Sequence, residues 1–231
     1  MSGAMLEHGG VPSRTRISPS DLTFLWSSCR RCFWLKYRLG HEIPSVFPGI
    51  VNALSAKQEA WYRDKTLAEF SPRLPSGQIF RFNKRVTSLP LLLDGRITPF
   101  VLSGKYDFLL RYDDGSFGII DTKLSSSLGK AGLYWPQLAA YRHILEFPND
   151  DESRVCRTLG LLIWTPSEVR KSPDGSLAIG FNAVYEEVVP PEGAFDELLY
   201  EVLNCISSRE APPLNDCETC QAVESYPLSN L

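Results

Sequence analysis

The spacing of apolar residues changes period four times along the chain, and those changes divide it into elements. Ser18 and Pro19 mark a helix start, with a capping residue followed by proline in the first turn. Leu22, Leu25 and Trp26 then share a face that runs toward residues 29–35. A loop containing Pro44 and Pro48 precedes a second helical pattern over residues 53–70, closed by Pro72 and Pro75. From residue 78 the pattern alternates: residues 79–83 and 97–102 read as strands, and residues 106–112 and 117–124 as a hairpin. Residues 132–147 return to helical spacing, with Pro136 tolerable only in the first turn. The apolar run 159–164 reads as a buried strand. Ser172-Pro173-Asp174-Gly175 separates it from a strand at 177–189, and a helix follows at 192–207. There is no internal repeat or low-complexity stretch. Helices, strands, helix, strands and helix in that order predict one mixed α/β core with helical additions.

The 231 residues suffice for one sizeable core, and 43% hydrophobic with 22% charged residues is ordinary for a globular chain. A net charge of −3 excludes a wholesale basic surface, so any nucleic-acid contact needs a local groove. Candidate basic clusters are Arg30, Arg31, Lys36 and Arg38, then Arg81, Lys84 and Arg85. No apolar run is long enough for a transmembrane helix, and residues 1–16 lack the apolar stretch of a secretory signal. Residues 1–16 are expected to be disordered, and the location to be intracellular, in the cytoplasm, with no membrane partner. In a reducing compartment the six cysteines are expected to be free or metal-bound.

The hairpin carries the chemistry. Asp121 and Lys123 are two apart on a strand and so share a face. A two-residue loop at Asp114-Gly115 would set Asp107 opposite Thr122 and send Asp121 to the other side. A three-residue loop, Asp113-Asp114-Gly115, sets Asp107 opposite Asp121 and places Gly115 where a left-handed residue is wanted. Opposed carboxylates repel without a cation. Mg²⁺ or Mn²⁺ removes that penalty, and the Thr122 carbonyl can add a ligand. Such an ion acidifies water beside a phosphate, with Lys123 orienting the water or neutralising charge. Gln137 and Tyr141, spaced i,i+4, share one face of the following helix.

An aspartate at 107, Asp121-Thr122-Lys123 at a strand end and Gln137 with Tyr141 on the next helix resemble the PD-(D/E)XK nuclease superfamily. More narrowly they are similar to its RecB-like branch, with the nuclease domains of bacterial recombination complexes and the CRISPR-associated exonucleases. Ser18 to Leu22, Cys29 and Phe33 to Tyr37 are similar to that branch's opening helix. The resemblance covers the chain from about residue 17 onward. It implies a restriction-endonuclease-like mixed sheet flanked by helices, as one domain over residues 17–231. Residues 17–75 would be its helical part, 76–190 the sheet core and 191–231 a C-terminal helix with a cysteine tail. It implies DNA as substrate, with roles in repair, recombination or defence. Asp107 and Asp121 would be metal ligands, Lys123 the catalytic lysine, and Gln137 and Tyr141 helpers that contact the nucleic-acid backbone or support the site. An acid or histidine on the preceding helix often completes the site. None of His8, His41 and His143 lies there, which leaves Glu59 ahead of Gln58 and Asp64.

Cys29-x-x-Cys32 and Cys217-x-x-Cys220 suggest a four-thiolate site joining the two ends of the chain, for Zn²⁺ or an iron–sulfur cluster. The resemblance implies a [4Fe–4S] cluster, although RecB-like relatives carry one early and three late cysteines, and here the division is two and two. Cys205 is an alternative late ligand, and Cys156 reads as a small core residue. The alternative to a nuclease is a cysteine-stapled binding module whose nuclease-like core is inactive. A purely structural zinc protein is a third reading.

Overall fold

The computed structural model describes residues 10–43 and 49–225. The loop prolines 44 and 48, His8 and the chain ends lie outside the described residues. The chain enters through β1 (Arg16–Ile17), a short strand whose two residues carry no readable period. Backbone N–H groups of Ser13 and Arg14 donate to the Arg38 and Tyr37 carbonyls, so residues 13–16, expected to be disordered, are held in the fold.

The first helix is three segments: α1 (Pro19–Thr23), α2 (Leu25–Ser28) and α3 (Arg30–Leu39). The second break falls at Cys29, whose backbone is extended at φ −159° and ψ 109°. Its Sγ accepts the Cys32 N–H at 3.4 Å, so the first cysteine of the pair caps α3. The second expected helix also divides, into α4 (Gly49–Tyr62) and α5 (Leu67–Phe70). There the Glu69 carboxylate accepts the Thr66 N–H at 2.8 Å and restarts the helix.

Eight further strands and four helices or turns complete the described chain between β2 (Gly77–Phe82) and the tail. They are β3 (Arg85–Thr87), β4 (Leu92–Leu93), β5 (Arg96–Ile97), β6 (Val101–Lys105), β7 (Phe108–Tyr112) and β8 (Phe117–Leu124). A 3₁₀ turn (Ala131–Tyr134) leads into α6 (Trp135–Glu146), followed by β9 (Cys156–Lys171), β10 (Leu177–Glu187), α7 (Ala194–Ser207) and α8 (Glu218–Ser225). The strand expected at 97–102 is two, because Pro99 offers no N–H to a ladder. Its start pairs in the β4–β5 hairpin, and its end joins β6, which lies between β1 and β3 in a three-stranded sheet.

The main sheet has five strands in the order β10-β9-β8-β7-β2. Only β8 and β9 run parallel, and α6 makes the crossover between them; the other pairs are antiparallel. This is a mixed α/β fold with a mixed sheet flanked by helices. On one face Leu109, Ile119, Leu161 and Ile163 pack in the same core as Leu138, Tyr141 and Ile144 of α6. On the other, Phe108, Leu110, Ile120 and Leu162 pack with Tyr62, Leu67 and Phe70. β8 is therefore buried from both sides, which explains its unbroken apolar run before Asp121. No helix among the described residues is long and apolar enough to cross a membrane.

Candidate active site

The turn between β7 and β8 sets the register. Gly115 has φ +82°, and its N–H donates to the Tyr112 carbonyl at 3.0 Å. The Tyr112 N–H donates to Ser116 at 2.9 Å, closing the loop of three residues. Phe108 faces Ile120 and Leu109 faces Ile119. One step further along that register, Asp107 lies across from Asp121. The two-residue loop that would have separated them is not adopted.

Asp121 is buried, 3% exposed. One of its oxygens is ion-paired with Lys123 Nζ, and the other accepts Gln137 Nε2 at 3.1 Å. Burial pushes the Asp121 carboxyl up to about 6, against the pull of Lys123 and with the Asp107 and Glu59 charges adding to the rise. Burial alone would lower the Lys123 ammonium, but the Asp121 and Asp107 carboxylates hold it above its ordinary value. Asp107 accepts both the N–H and the hydroxyl of Thr122 at 2.7 Å.

The helices fix these groups from both faces. The α6 N-terminus is held by Thr23, whose Oγ1 accepts the Gln137 N–H at 3.0 Å. One turn on, Tyr141 Oη donates to the Lys105 carbonyl at 2.7 Å. Burial, with the nearby Asp121 and Asp107 charges, raises the Tyr141 phenol and keeps it a donor. Gln137 and Tyr141 are both buried and engage protein groups. They brace the two strand ends, and direct contact with a nucleic-acid backbone, the alternative role expected for them, does not fit that burial. From α4, Gln58 Nε2 donates to the Leu162 and Lys123 carbonyls at 2.9 and 3.3 Å, making it an anchor for the helix. Buried Gln58 Oε1 and Gln137 Oε1 have no hydrogen-bond partner. Asp64 lies exposed beyond the end of α4.

Glu59 reaches the site through a residue that sequence reasoning missed. Its Oε2 accepts Asn83 Nδ2 at 2.5 Å, and the Asn83 N–H donates to the Asp107 carbonyl at 2.8 Å. Asn83 is left-handed, with φ +51°. Asparagine tolerates that conformation better than most residues, and this preference, at the end of an alternating run, was the available signal. Among the described residues, the cysteine quartet is the one group of three or more Cys, His, Asp or Glu whose ligand atoms lie within 4.8 Å of one another. Glu59, Asp107 and Asp121 thus share a neighbourhood without converging on one point.

The two candidate basic clusters are largely consumed within the fold. Arg81 and Lys84 both pair with Asp151, as does Arg154. Arg30 pairs with Glu201, Lys36 with Asp21, and Arg31 donates to the Pro212 carbonyl.

At the start of α3, Cys29, Cys32, Cys217 and Cys220 come together and could bind a metal ion. The Cys220 sulfur lies 3.3 Å from that of Cys29 and 3.2 Å from that of Cys32, which is 3.6 Å from Cys217. All four are free thiols. Burial and the neighbouring thiols raise Cys32, burial takes Cys220 up to about 12, and backbone N–H donation from Cys220 draws Cys217 down to about 7. Cys205 stands apart on α7, its sulfur 4.0 Å from the Arg30 carbonyl, and is not part of the quartet. Cys156 is a buried core residue.

No protein-family model matches the chain, and no curated protein matches it. Among solved structures it is similar to one described as "Crystal structure of SSO0001". The two share 13% identity and a TM-score of 0.44 over 84% of this chain and 78% of that one.

Proposed function

We propose that the chain is a divalent-metal-dependent nuclease of the PD-(D/E)XK type, with a restriction-endonuclease-like core, that hydrolyses phosphodiester bonds of DNA. The observation that carries this reading is the hairpin register, which brings Asp107 to the end of β8 where Lys123 pairs with Asp121. The donor set is of the kind a hard cation takes, and holding one would draw the Glu59, Asp107 and Asp121 carboxylates from their protein partners to a common point. The ionised Asp121 is opposed by burial and by two neighbouring carboxylates, and Mg²⁺ or Mn²⁺ is the partner that relieves such a site. Asp121, Asp107, Glu59 and the Thr122 carbonyl would hold it. When bound, such an ion acidifies water and stabilises charge on a phosphoryl oxygen.

The chain's own residues supply the rest. Lys123 presents an ammonium to orient water and offset charge on the phosphate. Gln137 fixes one Asp121 oxygen and leaves the other toward Lys123. Tyr141 and Asn83 hold the backbone on either side of Asp107, at Lys105 and at its own carbonyl. A role in DNA repair, recombination or defence accords with the RecB-like resemblance.

One observation favours a second reading, an inactive nuclease-like binding module. Every carboxylate of the site already has a protein partner: Thr122 for Asp107, Lys123 and Gln137 for Asp121, and Asn83 for Glu59. Incubating labelled single-stranded DNA with the protein in Mg²⁺ and in EDTA separates the two. Degradation in Mg²⁺ alone supports the enzyme, whereas retention of bound, intact DNA in both buffers supports the module.

For the cysteines, we infer a single zinc ion. A tetrahedral ion about 2.3 Å from each sulfur sets the sulfurs roughly 3.8 Å apart. Three of the separations are 3.2–3.6 Å and all four sulfurs lie within 4.8 Å of one another, which brackets that value. A four-iron cluster gives each thiolate its own iron and spreads the sulfurs further.

A further inference from the structure

A small cavity of about 250 Å³ opens beside Lys123, between α1, the β8–α6 connection and β9. Its walls include Phe24, Leu133 and Tyr134, and its polar rim includes Ser127 and Lys130. Phe24 and Tyr134 meet edge to face, with centroids 5.6 Å apart and planes at 81°. Phe24 is 47% exposed and Leu133 65% exposed, although neighbouring Leu22 and Ala131 are buried. The Tyr134 ring also carries Lys123 Nζ at 5.1 Å from its centroid. Two aromatic rings, apolar side chains and a second cation, Lys130, thus line one cavity with the candidate hydrolytic lysine.

Such a slot does not suit a phosphate, which would want more cations and fewer rings. It suits a flat, weakly polar ring system whose charged appendage lies outside. The volume is near the lower end of small-ligand sites, which run roughly 300–1,000 Å³. We propose that this cavity is a base subsite. One unpaired nucleobase next to the scissile phosphate would stack on the exposed Phe24 ring, with Tyr134, at right angles to it, bounding the base's edge and Lys130 meeting the flanking phosphate. This proposal rests on the nuclease reading. The 3₁₀ turn and α2 close the slot on two sides, so a base enters only after leaving its pair. Phe24 and Tyr134 are then specificity-determining residues that select flexible strands or frayed ends. Because every base has a π-face, the selection is for an unpaired base and not for sequence.

The test uses short single-stranded oligonucleotides with 2-aminopurine at each position in turn, bound in EDTA so that no cleavage occurs. Wild-type protein should quench the probe at one position. Phe24→Ala should lose that quenching and bind about tenfold more weakly, in line with base–aromatic stacking. Phe24→Tyr should restore both. The exposure of Phe24 makes its truncation compatible with folding, and a thermal melt checks this. Tight binding with no position-specific quenching, or equal quenching in Phe24→Ala, overturns the subsite and leaves the nuclease reading standing. The absence of position-specific quenching both in EDTA and when the binding is repeated in Ca²⁺ overturns the subsite, whereas the nuclease reading is judged separately by cleavage in Mg²⁺.

Discussion

Asp121 is the residue on which the acid–base behaviour of the site turns. Its carboxyl titrates near 6 in the folded chain against 3.8 for a free side chain, so burial disfavours the ionised form. The folded state therefore loses stability as pH rises between those values, and a bound cation offsets that loss. Magnesium should raise the melting temperature at about pH 7.5, and the increment should vanish as pH falls through about 6 and Asp121 takes up its proton. Differential scanning fluorimetry across pH, with and without Mg²⁺, reads this directly. An increment that persists unchanged at about pH 5 would remove Asp121 from the metal site. Asn83 makes a second prediction. Asn83→Gly keeps the left-handed backbone and loses only the amide, so Mn²⁺ affinity measured by calorimetry should fall while the melting temperature stays close to wild type. Asn83→Ala should add a stability loss of about 1 kcal/mol, because alanine resists that backbone conformation. The pairing of Asp107 with Asp121 was readable from loop length and strand alternation. The bonds each carboxylate makes were not, because Thr122, Asn83 and Gln137 meet them only through tertiary packing.

At the scale of elements, the site depends on how closely α1 and α6 approach β6. Gly104 allows this: a Cβ there would lie 2.7 Å from Pro19 Cδ and 3.0 Å from Tyr141 Cε1. Gly104→Ala should destabilise the protein by about 1–3 kcal/mol, the usual range for overpacking. It should also lower activity by displacing Tyr141 from the Lys105 carbonyl. A chemical denaturation curve beside a cleavage assay checks both effects. The long periodic elements, α6, α7 and the β7–β8 hairpin, were legible to within a few residues. The breaks at Cys29 and between α4 and α5 were not, since a capping thiol and a restarted turn interrupt helices without disturbing their apolar spacing. The two-residue pairing of β1 with β6 leaves no period to detect.

At the scale of the whole molecule, the cysteine quartet ties α3 to the last described helix, across more than 180 positions of sequence. Closing so long a loop restricts the unfolded chain strongly, so metal binding and folding are coupled. Purified protein should contain about one zinc per chain and be colourless. Cys217→Ser should lose the zinc and melt several degrees lower, as read by metal analysis and calorimetry. A brown protein with iron and acid-labile sulfide would replace zinc by a cluster.

The most direct test of the central claim is the single-turnover cleavage of labelled single-stranded DNA in Mg²⁺ by wild-type protein, Asp121→Ala and Lys123→Ala. The account predicts degradation by the wild type, and a loss of at least about a thousandfold in both folded variants. Cleavage by folded Lys123→Ala at the wild-type rate would contradict it.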